Sequence, residues 1–162
     1  MSEKVLGSEV TISEFRPSYV QFFRDINIEW LEQYFVVEPF DHALLHDPEL
    51  HIIKQGGFIF FAHLDAKIVG CCALLKHNDT KYEMAKMAVL ANFRNRGIGR
   101  LLVGRALERS REVGATTVVL ATSNKLLAAN YLYQSMGFQY ANPKVIGPLP
   151  YQRETIVMAL EL

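Results

Sequence analysis

The chain has 162 residues, half of them apolar, and its 17 lysines and arginines balance 17 aspartates and glutamates. That length supports one complete hydrophobic core and is short for two ordinary domains, so residues 1–162 are expected to form a single domain. Zero net charge argues against a general nucleic-acid binder or a protein of acidic membrane surfaces, no run approaches the ~18 uninterrupted apolar residues of a membrane span, and Met1-Ser2-Glu3-Lys4 holds no apolar signal core; a soluble, cytoplasmic protein is expected.

Residues 10–15 alternate as a strand does, and behind Pro17 the side chains of Tyr19, Phe22, Phe23, Ile26 and Trp30 recur at helical spacing. A second short helix is expected over residues 40–46. After Gly56-Gly57, residues 58–63 and 67–75 form two apolar runs joined by Leu64-Asp65-Ala66, and residues 81–90 follow the turn-like His77-Asn78-Asp79. This order predicts an antiparallel meander. Cys71 and Cys72 are adjacent within it, a poor arrangement for a disulfide and without metal-ligand spacing, so both are expected as buried strand residues in a reducing compartment.

From Gly97 the period changes from two to about 3.6, with Ile98, Leu101, Leu102, Ala106, Leu107 and Val113 forming a stripe that ends at Gly114. Between the strand and this helix lies Arg94-Asn95-Arg96-Gly97-Ile98-Gly99-Arg100. Two glycines let the backbone turn tightly and approach a ligand, while the first N–H groups of the helix lack partners and carry the positive end of its dipole. An anion is the expected ligand; an ordinary strand-to-helix turn is the alternative. Spacing excludes the two nucleotide loops. The dinucleotide fingerprint would need a third glycine where this chain has Leu102, and Gly104 leads into Arg105-Ala106, not the Lys-Ser or Lys-Thr of a Walker loop. Arg94, Arg96, Arg100, Arg105, Arg109 and Arg111 crowd this segment against Glu108 and Glu112; those nearest the glycines are the candidates for phosphate contact, the others a solvated helix face.

Residues 116–121 are rich in β-branched side chains, and Asn124 stands where a cap would begin the helical segment ending at Met136-Gly137. Residues 138–140 and 153–160 supply the last strands, with Pro143, Pro148 and Pro150 marking the loop between them. Neither a repeat nor a linker interrupts the chain, and the elements together predict a mixed sheet flanked by helices.

Arg94, Gly97 and Gly99 fill the fixed places of Arg/Gln-x-x-Gly-x-Gly/Ala, and Leu132-Tyr133-Gln134-Ser135-Met136-Gly137-Phe138 is similar to Leu-Tyr-x-x-x-Gly-Phe. Through these two motifs the chain resembles the GNAT N-acetyltransferase superfamily over most of its length, most closely over residues 81–138. The resemblance implies an α/β (α+β) fold with a mixed, mostly antiparallel sheet of six to seven strands, splayed at an acetyl-CoA site. It implies that acetyl-CoA, as acetyl donor, lays its pyrophosphate on the N–H groups of Arg94, Asn95, Arg96, Gly97, Ile98, Gly99 and Arg100, with its pantetheine arm beside Met87, Ala88 and Val89. Many members place an asparagine where this chain has Leu126; Asn124 and Asn130 are the candidate substitutes, against readings as a helix cap and an exposed helix face. A tyrosine at the place of Tyr133 serves in the family as general acid or thiolate stabiliser, the alternative being a structural tyrosine bonded to backbone.

Glu83, eleven residues ahead of Arg94, holds the offset at which histone-acetylating members carry their base. Burial among Met84, Ala85 and Met87 would raise its pKa towards that of a useful base; an ion pair with Lys81 or Lys86 is the alternative. The acceptor region implied by the family contains Trp30, Tyr34 and Glu38, with Asp41, His42, Tyr151 and Arg153, and aromatic residues beside carboxylates suit a cationic amine; packing and solvation are the alternative. His42 and His46 share a metal-pair spacing but Ala43 follows the first in place of the glutamate of a zinc hydrolase, so no metal is expected. The leading functional expectation is direct acetyl transfer to a small-molecule amine in a ternary complex. A noncatalytic acyl-CoA sensor would need the phosphate loop without Tyr133 and Glu83, and a peptide acetyltransferase would need a groove for an extended chain. The oligomeric state, a homodimer among the options, stays open.

Overall fold

In the computed structural model the described residues are 2–5 and 8–162; Met1, where the N-terminal reading began, lies outside them. The strands are β1 (Ser2–Val5), β2 (Ser8–Glu14), β3 (Phe58–Leu64), β4 (Lys67–Lys76), β5 (Lys81–Val89), β6 (Thr117–Thr122), β7 (Gln139–Ala141) and β8 (Ile156–Glu161). The helices are α1 (Val20–Tyr34), α2 (Pro39–His46), α3 (Ile98–Glu112) and α4 (Leu127–Ser135). Among the described residues the strands join one sheet of order β1-β2-β3-β4-β5-β6-β8-β7, in which β5 and β6 are parallel and every other neighbouring pair is antiparallel. The edge strand β1 was not among the sequence expectations, and β8 sits between β6 and β7.

Alternation along β3 and β4 builds two cores. Phe60, Cys72, Leu74, Tyr82 and Met84 pack with Leu102, Val103 and Ala106 of α3 on one face, while Ile59, Phe61, Cys71 and Ala73 pack with Phe23, Ile26 and Leu31 of α1 and Leu45 of α2 on the other. The adjacent cysteines therefore enter opposite cores, and burial pushes both thiols up, Cys71 to about 12. Arg105 and Arg109 of α3 lie over the Phe60 and Phe58 rings, and Arg109 pairs with Glu14 at 2.8 Å, which assigns both to packing and surface pairing.

The sheet opens at β5. Cys71 pairs with Ala88 and Ala73 with Ala85, so Lys86 and Met87 together face Cys72, and Lys86 takes a left-handed φ of 53°. This bulge turns the strand. Pairing of β5 with β6 is confined to Lys81–Thr117, Tyr82–Val118 and Glu83–Val119, and beyond it the two strands separate. The Cys71 thiol donates to the carbonyl of Lys86 at 3.6 Å and accepts from Asn27 Nδ2 at 3.3 Å, so the bulged backbone is tied to α1.

The turn into α4 corrects two sequence readings. Leu126 is the residue before the helix, its N–H bonds the Ser123 carbonyl at 3.0 Å, and exposed Asn124 caps nothing. Asn130, read as exposed face or cofactor contact, is 6% exposed: its Oδ1 accepts from Thr122 Oγ1 at 2.7 Å and its Nδ2 donates to the Ser123 carbonyl at 2.8 Å. It clamps α4 onto the end of β6. Asn130→Ala removes both partners and is expected to cost about 2–3 kcal/mol of stability. Urea unfolding measures this; a change within ~0.5 kcal/mol would show that the clamp contributes little.

Candidate active site

Positive φ at Asn95 (62°) and Gly97 (81°) curls the segment between β5 and α3 so that successive N–H groups converge in front of the helix. Leu101 N–H reaches the Gly97 carbonyl at 3.2 Å, leaving those of Ile98, Gly99 and Arg100 ahead of the helical ladder. The two glycines serve different ends. A Cβ at Gly97 would meet open space and only the backbone angle requires glycine, whereas a Cβ at Gly99 would lie 3.2 Å from Leu132 Cδ2 and 3.9 Å from the Met87 side chain. Arg94 braces the loop from behind, donating through Nε to the Val89 carbonyl and through Nη1 to Gln33 Oε1, both at 2.9 Å. Among the described residues its Nη2 is buried without a partner.

A groove runs from this loop along β5 to the splay, with Met87, Ala88 and Val89 on one wall and Ala129, Leu132 and Tyr133 of α4 on the other. On the side that β6 has left, this stretch of β5 offers a free strand edge to an extended chain carrying amides. Converging N–H groups, an unpartnered guanidinium nitrogen and an open edge together fit a pyrophosphate followed by a pantetheine arm. Asn124 lies outside this groove, and both polar ends of Asn130 are occupied by the clamp.

Tyr133 lines both this groove and a second pocket inside the splay, at their junction. It is 8% exposed, its ring meets Phe138 edge-on at 6.0 Å, and among the described residues its hydroxyl makes no hydrogen bond to the protein, contrary to the alternative of a tyrosine bonded to backbone. Burial pushes its pKa up, with Cys72 adding to the effect, so the phenol holds its proton. Trp30 also borders both spaces, while Tyr34 borders the groove and a shallow outer depression.

Glu83 lines the second pocket, and its partner is neither Lys81 nor Lys86. Lys81 donates to the Val145 carbonyl at 2.7 Å, Lys86 to Asp41, and Glu83 Oε1 lies 2.7 Å from His77 Nε2. Register explains the missed contact. The hairpin pairs Lys76 with Tyr82 and sets His77 against Lys81, so His77 and Glu83 lie diagonally on one face of the ribbon.

The far wall of the pocket is ionic. Lys86 from the bulge donates to Asp41 Oδ1 and to the Tyr151 hydroxyl, and Arg153 donates to Asp41 Oδ2. Asp41 is wholly buried: burial pushes its carboxyl up, but the charge and hydrogen bond of Lys86, the Glu38 N–H and Arg153 outweigh burial and hold it below its ordinary value. Burial raises the Tyr151 phenol against the pull of Lys86. Glu38, read as a substrate contact, accepts from the N–H groups of Gln152 (2.6 Å) and Arg153 (3.3 Å) and pairs with Arg153 Nε at 3.1 Å, outside the pocket lining. His42 and His46 stack on each other at 5.6 Å, and among the described residues no group of three or more His, Cys, Asp or Glu side chains is arranged to hold a metal.

Known proteins are similar to this chain in sequence and in fold. N-acetylaspartate synthetase of Rattus norvegicus is 36% identical over 101 residues, covering 61% of this chain and 34% of that protein; this chain spans about a third of the length of the N-acetylaspartate synthetases it matches. An uncharacterized N-acetyltransferase of Bacillus subtilis (strain 168), YvbK, is 30% identical over 105 residues, covering 63% of this chain and 68% of that protein. Among solved structures, a GNAT-family acetyltransferase from Staphylococcus aureus Mu50 superposes with a TM-score of 0.83 at 21% identity, covering 94% of this chain and 98% of that one. A GNAT acetyltransferase from Elizabethkingia anophelis with acetyl-CoA bound gives 0.62 at 24% identity, with coverage of 94% and 98%. The sequence model of the acetyltransferase (GNAT) family matches residues 20–138, more than half of the chain, and the chain belongs to that family.

Proposed function

We propose that this chain is an acetyl-CoA-dependent N-acetyltransferase, residues 1–162 acting as one catalytic domain, that moves acetyl directly onto a primary amine of a small molecule in a ternary complex. The observation that carries the reading is the position of Tyr133, an unbonded phenol at the junction of a phosphate-binding groove and a second pocket that contains a carboxylate. Acetyl-CoA supplies the activated acyl group. An ammonium acceptor gives one proton to Glu83 and its nitrogen bonds to the thioester carbonyl carbon, whose oxygen is held by N–H groups of the splayed β5. As the C–S bond breaks, Tyr133 donates its proton to the departing thiolate and recovers one from the nitrogen, and Glu83 releases its proton to solvent. The products are amide, thiol and one free proton.

A sensor has no use for an acid and a base lining one pocket, which favours catalysis. The small-molecule reading is supported by the bridge of Gln152 and Arg153 to Glu38 and Asp41, which roofs the acceptor end where an extended peptide would need an open groove. Relatives named for the synthesis of N-acetylaspartate point the same way. The reading places the enzyme in a reducing, cytoplasmic setting, consistent with two free buried cysteines, and gives it neither a nucleic acid nor a membrane as partner.

Three expected outcomes follow from these assignments. A Gly97→Val/Gly99→Val double variant should bind CoA at least about 10-fold more weakly by calorimetry, and a folded variant with unchanged affinity would remove the loop from the cofactor site. Tyr133→Phe should retain CoA affinity and lose on the order of 10²-fold in kcat, since only the proton donor is removed. Glu83→Gln should lose a similar ~10²-fold near neutral pH and recover as the pH is raised and the amine deprotonates unaided. If Glu83→Gln matched the wild type at every pH, water would have to serve as the base.

A further inference from the structure

We infer that the acceptor is a zwitterion, a small amino acid whose amine meets Glu83 and whose carboxylate meets Lys86, Arg153 and Tyr151. The inference rests on the enzymatic reading above and names the substrate class of the same site. Its basis is the distribution of charge around the second pocket. Among the described residues that line it, Glu83 is the single carboxylate and Lys86 and Arg153 are the two cations. The carboxylates that neutralise those cations, Asp41 and Glu38, stand behind them and do not line the pocket. The bound molecule therefore faces one negative pole, provided by β5, and one positive pole, provided by the bulge and the segment leading to β8.

The positive pole retains donors. The Lys86 ammonium has three N–H groups and spends two, on Asp41 and on the Tyr151 hydroxyl. Arg153 bonds Asp41 through Nη2 and pairs with Glu38 through Nε, leaving Nη1 uncommitted among the described residues. Its guanidinium lies over the Tyr151 ring, 4.2 Å from the centroid, and 5.2 Å from that of Phe35, contacts that with the two carboxylates restrain the fork. A monoamine would leave these donors facing an apolar tail, and a diamine would bring a second ammonium against two cations. An amino acid satisfies both poles at once.

The test is thiol release from acetyl-CoA by the full chain, with each of the common L-amino acids assayed beside its carboxamide and its decarboxylated amine. The best amino acid should exceed both of its partners by at least about 30-fold in kcat/KM, the effect falling mainly on KM. Tyr151→Phe, which removes one hydroxyl and leaves the buried ion pairs intact, should reduce that preference severalfold with CoA affinity unchanged; Lys86→Met should reduce it further if the variant folds. Amides or plain amines acetylated as well as amino acids would overturn the zwitterion assignment and leave the enzymatic reading standing. Undiminished preference in Tyr151→Phe together with a folded Lys86→Met would also overturn it. Absence of thiol release with any amine, while CoA still binds by calorimetry, would overturn both.

Discussion

A strand hydrogen-bonded on both sides has no free edge, and this fold makes one by giving β5 one residue more than β4 can pair. Lys86 and Met87 share the space opposite Cys72, the left-handed turn at Lys86 bends the strand, and β6 follows β5 through only three pairs. The rest of the site depends on that departure. It frees the β5 edge for amide-bearing chains, opens the sheet for a second pocket, and puts Tyr133 between them. A left-handed lysine is unfavourable by itself, so surrounding contacts must hold it. Asn27 and the Cys71 thiol hold the bulge from one core, and Asp41 and Tyr151 hold the Lys86 ammonium from the pocket side.

The ionic group around Asp41 explains why the acceptor end has a definite shape. Three segments distant in sequence, the N-terminal turn of α2, the bulge, and the strap before β8, contribute Asp41, Lys86 and Arg153. Desolvation offsets much of the attraction in such a buried group, so its net contribution to stability is small, whereas removing one member leaves a charge unpaired at about 3–5 kcal/mol. Geometry is therefore what the group secures. Surface pairs such as Lys76 with Asp79 join flexible, hydrated side chains and impose no comparable restraint.

The parts of the site legible in the sequence are those encoded by local spacing. Two glycines before an amphipathic stripe located the turn between β5 and α3, and the Leu-Tyr-x-x-x-Gly-Phe ending located Tyr133 on α4. The strands from β2 to β8 followed from alternation and turn residues, though β8 starts at Ile156 because Gln152 and Arg153 are drawn towards α2. Contacts fixed by register or by distant segments were not legible. The bulge at Lys86 exists only relative to β4, the His77–Glu83 pair needs the hairpin register, and the anchoring of the Gln152–Arg153 segment by Glu38 joins parts of the chain far apart in sequence. Asn130 carried an ambiguous signal, since the same residue type caps, solvates or clamps according to what lies over it.

The place of β8 between β6 and β7 bears on how the protein is made. During synthesis the segment carrying α4 and Tyr133 emerges before β8, yet among the described residues β7 has no neighbour in the sheet other than β8, and β6 gains its antiparallel partner only when residues 156–161 arrive. The N-terminal meander from β2 to β5 can assemble as it leaves the ribosome, each strand pairing with the one before it. Closure of the sheet waits for the last strand. A nascent or C-terminally clipped chain lacking β8 would thus hold the meander and the loop before α3 while β6 and β7 still lacked the strand that joins them, so the two sides of the splay would mature at different moments.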